Sequence, residues 1–368
     1  MNDSALDIRG YQKALIAWYL DNHRSLPWRK TKNPYSIWVS EVMLQQTQVN
    51  TVLPYYRKFL NKFPTLNSLA RASLQDVLKI WEGLGYYARA RNLHRAAGLV
   101  EKKYNGIIPP CRDAFRTLPG VGDYIAAAVM SIAFEQPYAV VDGNVKRVLA
   151  RLQCIDAPAN RSTSAKTFKA AADGLIDKHA PGKYNQAIME LGAVVCKPKK
   201  ALCDVCPLQR FCKAYQTGTV TAYPHKTALR QTPQYRIAVG VVIKNGRVLI
   251  TQRKPDGLLG GLWEFPGGKI KSGENAHRAC VREIGEEVNL KIRVIDHLSR
   301  VKHAYTHFKI VMDVFCCEYI SGRVRLKGPV AHRWIKLKTI DQYPLPRANH
   351  KFMPNLKKWM EDQQAKRR

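Results

Sequence analysis

The apolar residues of this chain change their spacing between its two halves, and this change constrains the fold more than any other sequence feature. Over residues 8–195 they recur at intervals of three and four, which is typical of amphipathic helices. From residue 235 onward, short aliphatic runs replace that pattern. The runs 237–243 and 247–251 flank Asn245-Gly246, a dipeptide that favours a two-residue β-hairpin turn. The sequence therefore predicts an all-α region followed by an α+β region.

The stretch between these regions is polar and contains Pro224 and Pro233 with little periodicity, as in a linker. The predicted segments are a helical domain over 1–215, a linker over 216–234 and an α+β domain over 235–368. Within the last segment we expect a helix over 276–288, strands over 291–294 and 308–319, and a charged, frayed tail over 357–368.

The charge balance predicts a polyanionic partner. Lys and Arg total 60 against 28 acidic residues, a formal net charge of +32. No apolar run has the length of a membrane span or the form of a secretory signal. We therefore expect a cytoplasmic monomer (nucleoid-associated if bacterial) that binds nucleic acid and no membrane. A generally basic proteome is the alternative reading of the charge.

Residues 113–128 read DAFRTLPGVGDYIAAA, which predicts two helices joined by a tight turn. Gly120 and Gly122 would let the backbone approach another group closely. The second helix would present free N–H groups and its positive dipole end there, an arrangement that binds a phosphate without reading base sequence. The alternative is a plain corner between two packed helices.

Nine cysteines in an intracellular chain of this length do not indicate a disulfide framework. Four of them have the spacing C-x6-C-x2-C-x5-C: Cys196, Cys203, Cys206 and Cys212. This spacing suits either zinc or a [4Fe–4S] cluster. The others are expected to be buried: Cys111, Cys154, Cys280, Cys316 and Cys317.

Two motifs carry a family resemblance. LPGVG at 118–122, followed by VDGNVKRV at 141–148, resembles the helix–hairpin–helix DNA glycosylase superfamily. WVSEVMLQQTQV at 38–49 resembles the signature of its adenine DNA glycosylase (MutY) family. The resemblance extends over about residues 11–356. It implies a multidomain fold: a helix–hairpin–helix domain with a [4Fe–4S] loop at 196–212, and a Nudix-like domain after it.

The resemblance also implies a catalytic set. Glu41 would be the general acid that protonates adenine at N7, and Asp142 would stabilise the sugar cation. Tyr124 would bond to these carboxyl groups, and Asn144 would position Asp142 or the water. Bifunctional endonuclease III enzymes have a nucleophilic lysine where this chain has Tyr124, so the resemblance implies a monofunctional hydrolase. Read without the family, Asp142-Gly143-Asn144 is an ordinary turn. A single Glu near a helix start is usually a surface residue, but the apolar neighbours of Glu41 indicate a partly buried site: Trp38, Val39, Val42, Met43 and Leu44.

Further residues match the family's DNA-binding positions. Those implied to line the adenine pocket are Trp28, Arg29, Leu44 and Gln186. Gln46 and Tyr86 would wedge into the duplex when the base leaves it. The alternative for Tyr86 is a place in the packed core.

Residues 265–290 match the Nudix box, G-x5-E-x7-R-E-U-x-E-E-x-G-U with U aliphatic, except that Asn289 replaces the last glycine. Asn tolerates a left-handed helix cap, so the fold should survive. Glu283, Glu286 and Glu287 would share one helix face, which suits Mg²⁺. A nucleotide pyrophosphohydrolase is therefore a second hypothesis.

The sequence HAYTHF at 303–308 favours a different role for this domain. Tyr305, Thr306 and His307 resemble the family's loop that contacts 8-oxoguanine, usually Phe-Ser-His. The resemblance implies double-stranded DNA with an 8-oxoguanine:adenine pair as the substrate, and we expect no efficient nucleotide hydrolysis. The alternative is an aromatic-rich strand end.

Overall fold

The computed structural model describes residues 7–228 and 232–366. They group into two compact units. The first comprises Met1–Ala70 and Arg95–Leu229, and the second comprises Arg71–His94 and Arg230–Arg368. Within the described ranges, no helix is long and apolar enough to cross a membrane.

The first unit is helical, which confirms the all-α prediction. Its helices are α1 (Ile8–Asn22), α2 (Pro34–Leu44), α3 (Val49–Lys62), α4 (Leu66–Ala70), α7 (Arg112–Arg116), α8 (Asp123–Phe134), α9 (Gly143–Gln153), α10 (Ala165–Asp173), α11 (Pro181–Val194) and α12 (Lys213–Gln216). Helix α5 (Leu74–Trp81) lies in the second unit, and α6 (Ala88–Tyr104) begins there and ends in the first. Large buried side chains fill the helical core, where Trp38 of α2 meets Phe115 of α7 edge to face at 5.0 Å.

The predicted helical hairpin is formed by α7 and α8. Gly120 in the turn has a φ of +77°, a left-handed conformation that glycine adopts without steric cost. Arg112 and Arg116 both pair with Asp123 in the first turn of α8, at 2.8 and 3.0 Å. An acidic residue there also complements the helix dipole.

The second unit contains a mixed sheet with strands β1 (Gln234–Lys244), β2 (Arg247–Gln252), β3 (Trp263–Glu264), β4 (Gly267–Lys269), β5 (Lys291–Ala304), β6 (Lys309–Ser321) and β7 (Ala331–Lys336). The strand order is β3-β2-β1-β6-β5, with β4 beside β1, β7 beside β2 and a parallel pairing of β1 with β6. Asn245 and Gly246 have positive φ, as the predicted hairpin turn requires. Helix α13 (Ala276–Val288) covers one face of the sheet, and Asn289 caps it with a φ of +59°. Helices α14 (Arg347–His350) and α15 (Met353–Ala365) contribute to the core on the other face.

Three sequence predictions need correction. The tail is helical through residue 365, because α15 buries Leu356 completely and Trp359 donates to the Asp296 carboxylate at 3.0 Å. Strand β5 runs well beyond residue 294, and register shifts obscure its alternation. Cys111 is exposed and Cys154 half-buried, whereas the other three cysteines outside the 196–212 loop are buried.

The described part of the predicted linker is hydrogen-bonded to the helical unit. The Tyr223 hydroxyl donates to Asp156 at 3.0 Å, and the His225 carbonyl accepts from the Ala159 amide at 2.9 Å. Residues 229–231 lie outside the described residues.

Candidate active site

A cleft of about 1150 Å³ opens in the helical unit. It brings together residues that are far apart in sequence: Trp28, Arg29, Glu41, Leu44, Gln46, Tyr124, Asp142, Asn144 and Gln186. All of these were selected from the sequence as catalytic or base-binding candidates. The chemistry of the cleft follows from how its carboxyl groups are held.

Glu41 projects from α2 and is only 3% exposed. Helix α2 begins after Asn33, whose side chain accepts from the Ser36 amide at 3.0 Å. The Tyr124 hydroxyl of α8 donates to Glu41 Oε2 at 2.5 Å. Burial raises the pKa of Glu41 to about 7, an effect that the Tyr124 bond opposes and the nearby Asp142 reinforces. This carboxyl group can therefore carry a proton at neutral pH.

Asp142 is the N-cap of α9, and its environment differs from that of Glu41. Its carboxylate accepts from the Val145 amide at 2.7 Å and from Asn144 Nδ2 at 3.4 Å. Burial raises the pKa of Asp142, while these donors and the Arg147 charge oppose the increase. Arg147 also donates to Asn144 Oδ1 at 2.9 Å, which fixes the amide. Asp142 accepts more hydrogen bonds than Glu41. When the two carboxyl groups together carry one proton, we therefore assign that proton to Glu41 and the negative charge to Asp142.

Glu190 of α11 is a residue of this cleft that sequence reasoning missed. Its buried carboxylate accepts from Arg24 Nε at 2.8 Å and from Arg29 Nη2 at 2.8 Å. Although burial acts to raise the pKa of Glu190, the two arginines lower it to about 2. The only sequence signal was a single carboxylate in the otherwise apolar run AIMELGAVV. Glu190 thus holds Arg29 at the cleft wall and neutralises part of its charge.

Comparisons with known proteins identify the families that the two halves of the chain match. Residues 39–172 match the model of the HhH-GPD superfamily of base excision DNA repair proteins, and residues 238–355 match the NUDIX domain. The chain is 37% identical to the adenine DNA glycosylase of Rattus norvegicus over 363 residues, 84% of this chain and 70% of that protein. It is 32% identical to the adenine DNA glycosylase of Buchnera aphidicola subsp. Acyrthosiphon pisum (strain APS), over 95% of this chain and 98% of that one.

The chain belongs to the adenine DNA glycosylase family. It is a hydrolytic DNA N-glycosylase of base excision repair, with a helix–hairpin–helix domain and a Nudix-type domain. A thermostable thymine-DNA glycosylase has a similar solved structure, with 29% sequence identity and a TM-score of 0.53 over 57% of this chain and 97% of that one.

This family member carries its four spaced cysteines in the loop that follows α11. Arg151 Nη1 donates to Cys196 Sγ at 3.3 Å, and Cys212 Sγ donates to the Arg151 carbonyl at 3.4 Å. The four thiols are half-buried and free of disulfides. Over residues 7–228 and 232–366, no group of three or more His, Cys, Asp or Glu side chains is arranged to hold a metal ion. Four cysteine sulfurs within one loop are the kind of ligands that an iron–sulfur cluster takes.

In the second unit, the predicted 8-oxoguanine loop lies beside Tyr86. The Tyr305 ring stacks on Phe308 with centroids 4.7 Å apart, and His307 is exposed. The Thr306 hydroxyl is hydrogen-bonded to the Tyr86 hydroxyl. Tyr86 is therefore not a core residue: it is half-buried, has a φ of +50° and contacts the loop.

The acidic side chains of the Nudix box are already partnered within the protein. Arg282 donates to Glu274 at 2.8 Å, to Glu283 at 2.7 Å and to Glu286 at 2.9 Å. Glu287 accepts from the Gly267 amide at 2.9 Å, and its burial raises its pKa to about 7. Arg282 therefore neutralises two of the three glutamates that were predicted to share a helix face, Glu283 and Glu286.

Proposed function

We propose that this glycosylase excises adenine paired with 8-oxoguanine, or with guanine, from duplex DNA and leaves an abasic site. The observation that carries the proposal is the contact of 2.5 Å between Tyr124 Oη and Glu41 Oε2, in a cleft that also holds Asp142. Glu41 can carry a proton at neutral pH, and the hydrogen bonds to Asp142 offset part of the cost of burying its negative charge. Departure of a purine requires both.

Glu41 acts first in this proposal. Adenine is a poor leaving group as an anion, and protonation at N7 makes its departure feasible. A carboxyl group whose pKa is about 7 is half protonated at neutral pH and donates the proton readily.

Asp142 acts as the base leaves. The sugar develops oxocarbenium character, and a nearby carboxylate stabilises this charge. Asn144 orients Asp142 through its Nδ2 contact at 3.4 Å. Water then attacks the sugar. The phenol of Tyr124 cannot form an imine, so the strand is not cleaved and the enzyme is monofunctional.

The adenine enters the cleft after it leaves the helix, a step that costs a few kcal/mol and less at a mispair. Trp28 is buried against Tyr56, edge to face at 5.1 Å, and forms a rigid apolar wall. Gln186 accepts from the Tyr19 hydroxyl at 3.3 Å and donates to the Gly182 carbonyl at 3.2 Å. This anchored amide is suited to reading a polar edge of the base.

The hairpin turn at Gly120 and Gly122 would bind a backbone phosphate of the DNA through free amides at the start of α8. Gln46, exposed at the cleft with a φ of +55°, would fill the gap left by the flipped adenine. Tyr305, Thr306 and His307 would contact the 8-oxoguanine, and Tyr86, whose hydroxyl meets Thr306, would wedge into the duplex beside it.

We also propose a [4Fe–4S] cluster on Cys196, Cys203, Cys206 and Cys212. When bound, it would fix the shape of a loop whose Lys197, Lys199 and Lys200 can face phosphates. Iron and sulfide analysis of the purified protein checks this assignment. If the purified protein were colourless and retained zinc in the presence of a chelator, the site would be a zinc site and not an iron–sulfur cluster.

The nearly complete Nudix box keeps nucleotide hydrolysis as the second candidate function. We expect no efficient hydrolysis, because Glu283 and Glu286 are engaged by Arg282. Rapid Mg²⁺-dependent release of pyrophosphate from 8-oxo-dGTP would favour the second function.

The deciding experiment is a single-turnover assay on a duplex with one 8-oxoguanine:adenine pair, with and without alkali before denaturing electrophoresis. Strand cleavage that requires alkali is expected for a monofunctional glycosylase. Cleavage without alkali would show lyase chemistry and reject the assigned role of Tyr124. No product in either arm, from protein with its full cluster, would reject the proposed activity.

A further inference from the structure

A stretch from the middle of the helical sequence, Arg71–His94, is part of the second unit, and specific side-chain bonds hold it there. Gln75 Nε2 donates to the Gly261 carbonyl at 3.0 Å, and Gln75 Oε1 accepts from Trp263 Nε1 at 2.9 Å. Arg91 Nη1 donates to the Gly260 carbonyl at 2.9 Å. The stretch is therefore attached at both its ends to the strand-rich part of the unit.

Glu82, between these two attachments, forms the densest set of bonds. Its Oε1 accepts from the Leu345 amide at 2.7 Å and from His350 Nε2 at 2.9 Å. Its Oε2 accepts from Lys79 Nζ at 2.5 Å, and the same Nζ donates to the Tyr343 carbonyl at 3.2 Å. The Glu82 side chain is only 14% exposed. A carboxylate with three donors and little solvent is costly to displace.

Glu82 is connected to Tyr86 by a constrained turn. Glu82 is the C-cap of α5, and Gly83 and Gly85 follow with φ values of +92° and +79°. The Gly85 carbonyl accepts from Trp81 Nε1 at 3.0 Å and from Arg89 Nη2 at 3.1 Å. The Arg89 guanidinium lies 5.1 Å from the centre of the Tyr86 ring. A shift of Glu82 would therefore be transmitted to Tyr86, whose hydroxyl meets Thr306.

We infer that Glu82 is a positioning residue that holds Tyr86 against the 303–308 loop, so that residues 71–94 form part of the surface that reads the lesion. The inference rests on the proposed recognition of 8-oxoguanine by this loop. Because Tyr86 is already ordered beside Thr306, no binding energy is used to order it, and the contacts that the loop makes only to 8-oxoguanine contribute in full to the preference. Without the Glu82 carboxylate, the Leu345 amide and His350 lose this acceptor, Lys79 keeps only the Tyr343 carbonyl, and the turn that carries Tyr86 loosens.

The test compares single-turnover excision of adenine opposite 8-oxoguanine and opposite guanine by the full-length, cluster-loaded enzyme. The variants are Glu82→Ala, Glu82→Gln and the matched control Glu361→Gln, which changes an exposed carboxylate on α15. Glu82→Ala should reduce the preference for 8-oxoguanine about tenfold, the loss of one charge-assisted hydrogen bond. Glu82→Gln should lose less, because its amide oxygen still accepts from Leu345. The control should keep the full preference.

A double-mutant cycle with Tyr86→Ala shows whether Glu82 acts through Tyr86. The two losses of preference should not add, because Glu82→Ala has nothing left to misplace once Tyr86 is absent. Additive losses, or equal falls in both rates for Glu82→Ala, would overturn the inference and leave Glu82 a purely structural residue. A wild-type enzyme with no preference for 8-oxoguanine would instead reject the proposed lesion recognition itself.

Discussion

Glu41 is buried, and burial is costly for an ionised carboxylate. The same burial raises its pKa and so keeps the proton that the proposed reaction needs. Its sequence context of apolar residues predicted a partly buried group, and the structure shows 3% exposure. The family resemblance implied that Asp142 lies near Glu41, since it placed both carboxyl groups beside Tyr124. Glu190 was not predictable in this way, because its partners Arg24 and Arg29 lie more than 160 positions away and no local pattern marks the pairing.

The pH dependence of excision should report the ionisation of Glu41. Its pKa is about 7, and only the protonated form can donate to adenine. Under single turnover, the rate constant should fall about tenfold per pH unit above pH 7, level off below it, and fall again at the lower pH where Asp142 becomes protonated. The Glu41→Gln substitution should abolish excision, but the variant enzyme should still bind the mispair. Equal loss of binding and excision would contradict the acid role.

Glu41 should make the free energy of unfolding decrease as the pH rises, whereas a carboxylate whose pKa is lowered by folding makes it increase. The pKa of Glu41 rises from 4.5 to about 7 on folding, so the unfolded chain releases this proton first as the pH increases. Below pH 4.5 both states are protonated and nothing is lost. Between pH 4.5 and 7 the folded state loses up to about 3 kcal/mol relative to the unfolded state.

Glu41→Gln should therefore be more stable than the wild type above pH 7 and equally stable near pH 4. Urea unfolding at both pH values, followed by far-UV circular dichroism, measures the difference. A gain of the same size at both pH values would assign it to packing instead of ionisation.

At the scale of elements, short-range turn and cap chemistry was predictable and tertiary packing was not. Asn245-Gly246 formed its hairpin and Asn289 its helix cap because each depends on local backbone conformation. Helix α15 was missed because charged residues hide its apolar positions, Leu356 among them, until the sheet against which they pack is known. The full length of β5 was missed because its bulges interrupt the alternation of inward and outward side chains.

The turn of the α7–α8 hairpin should contribute to DNA binding whether or not the duplex is damaged. Gly120 has a φ of +77°, where an alanine costs about 1 kcal/mol and pushes the turn from its conformation. Gly120→Ala should weaken binding to damaged and undamaged duplexes alike, while excision at saturating enzyme stays close to wild type. Electrophoretic mobility shift on both duplexes measures this.

Gly98→Ala is the matched control, since Gly98 lies within α6 and an added Cβ there meets no atom within 4 Å. The control should bind DNA normally and gain about 0.5–1 kcal/mol in stability. A loss confined to the damaged duplex in Gly120→Ala would contradict a phosphate-binding turn, because phosphate contacts are blind to the base.

For the molecule as a whole, the net charge of +32 and the chemistry of the cleft should respond differently to salt. Affinity for undamaged duplex depends on the release of counterions from phosphates, so it should fall about 10³-fold between 50 and 200 mM salt if six or more phosphates are contacted. The excision rate constant at saturating enzyme should barely change, because Glu41 is buried and Asp142 half-buried, and salt screens such charges much less than exposed ones. Fluorescence anisotropy and single-turnover excision in the same buffers separate the two effects. If the rate constant fell in parallel with affinity, exposed charges would have to take part in the chemical step, and Glu41 and Asp142 alone would not suffice to explain catalysis.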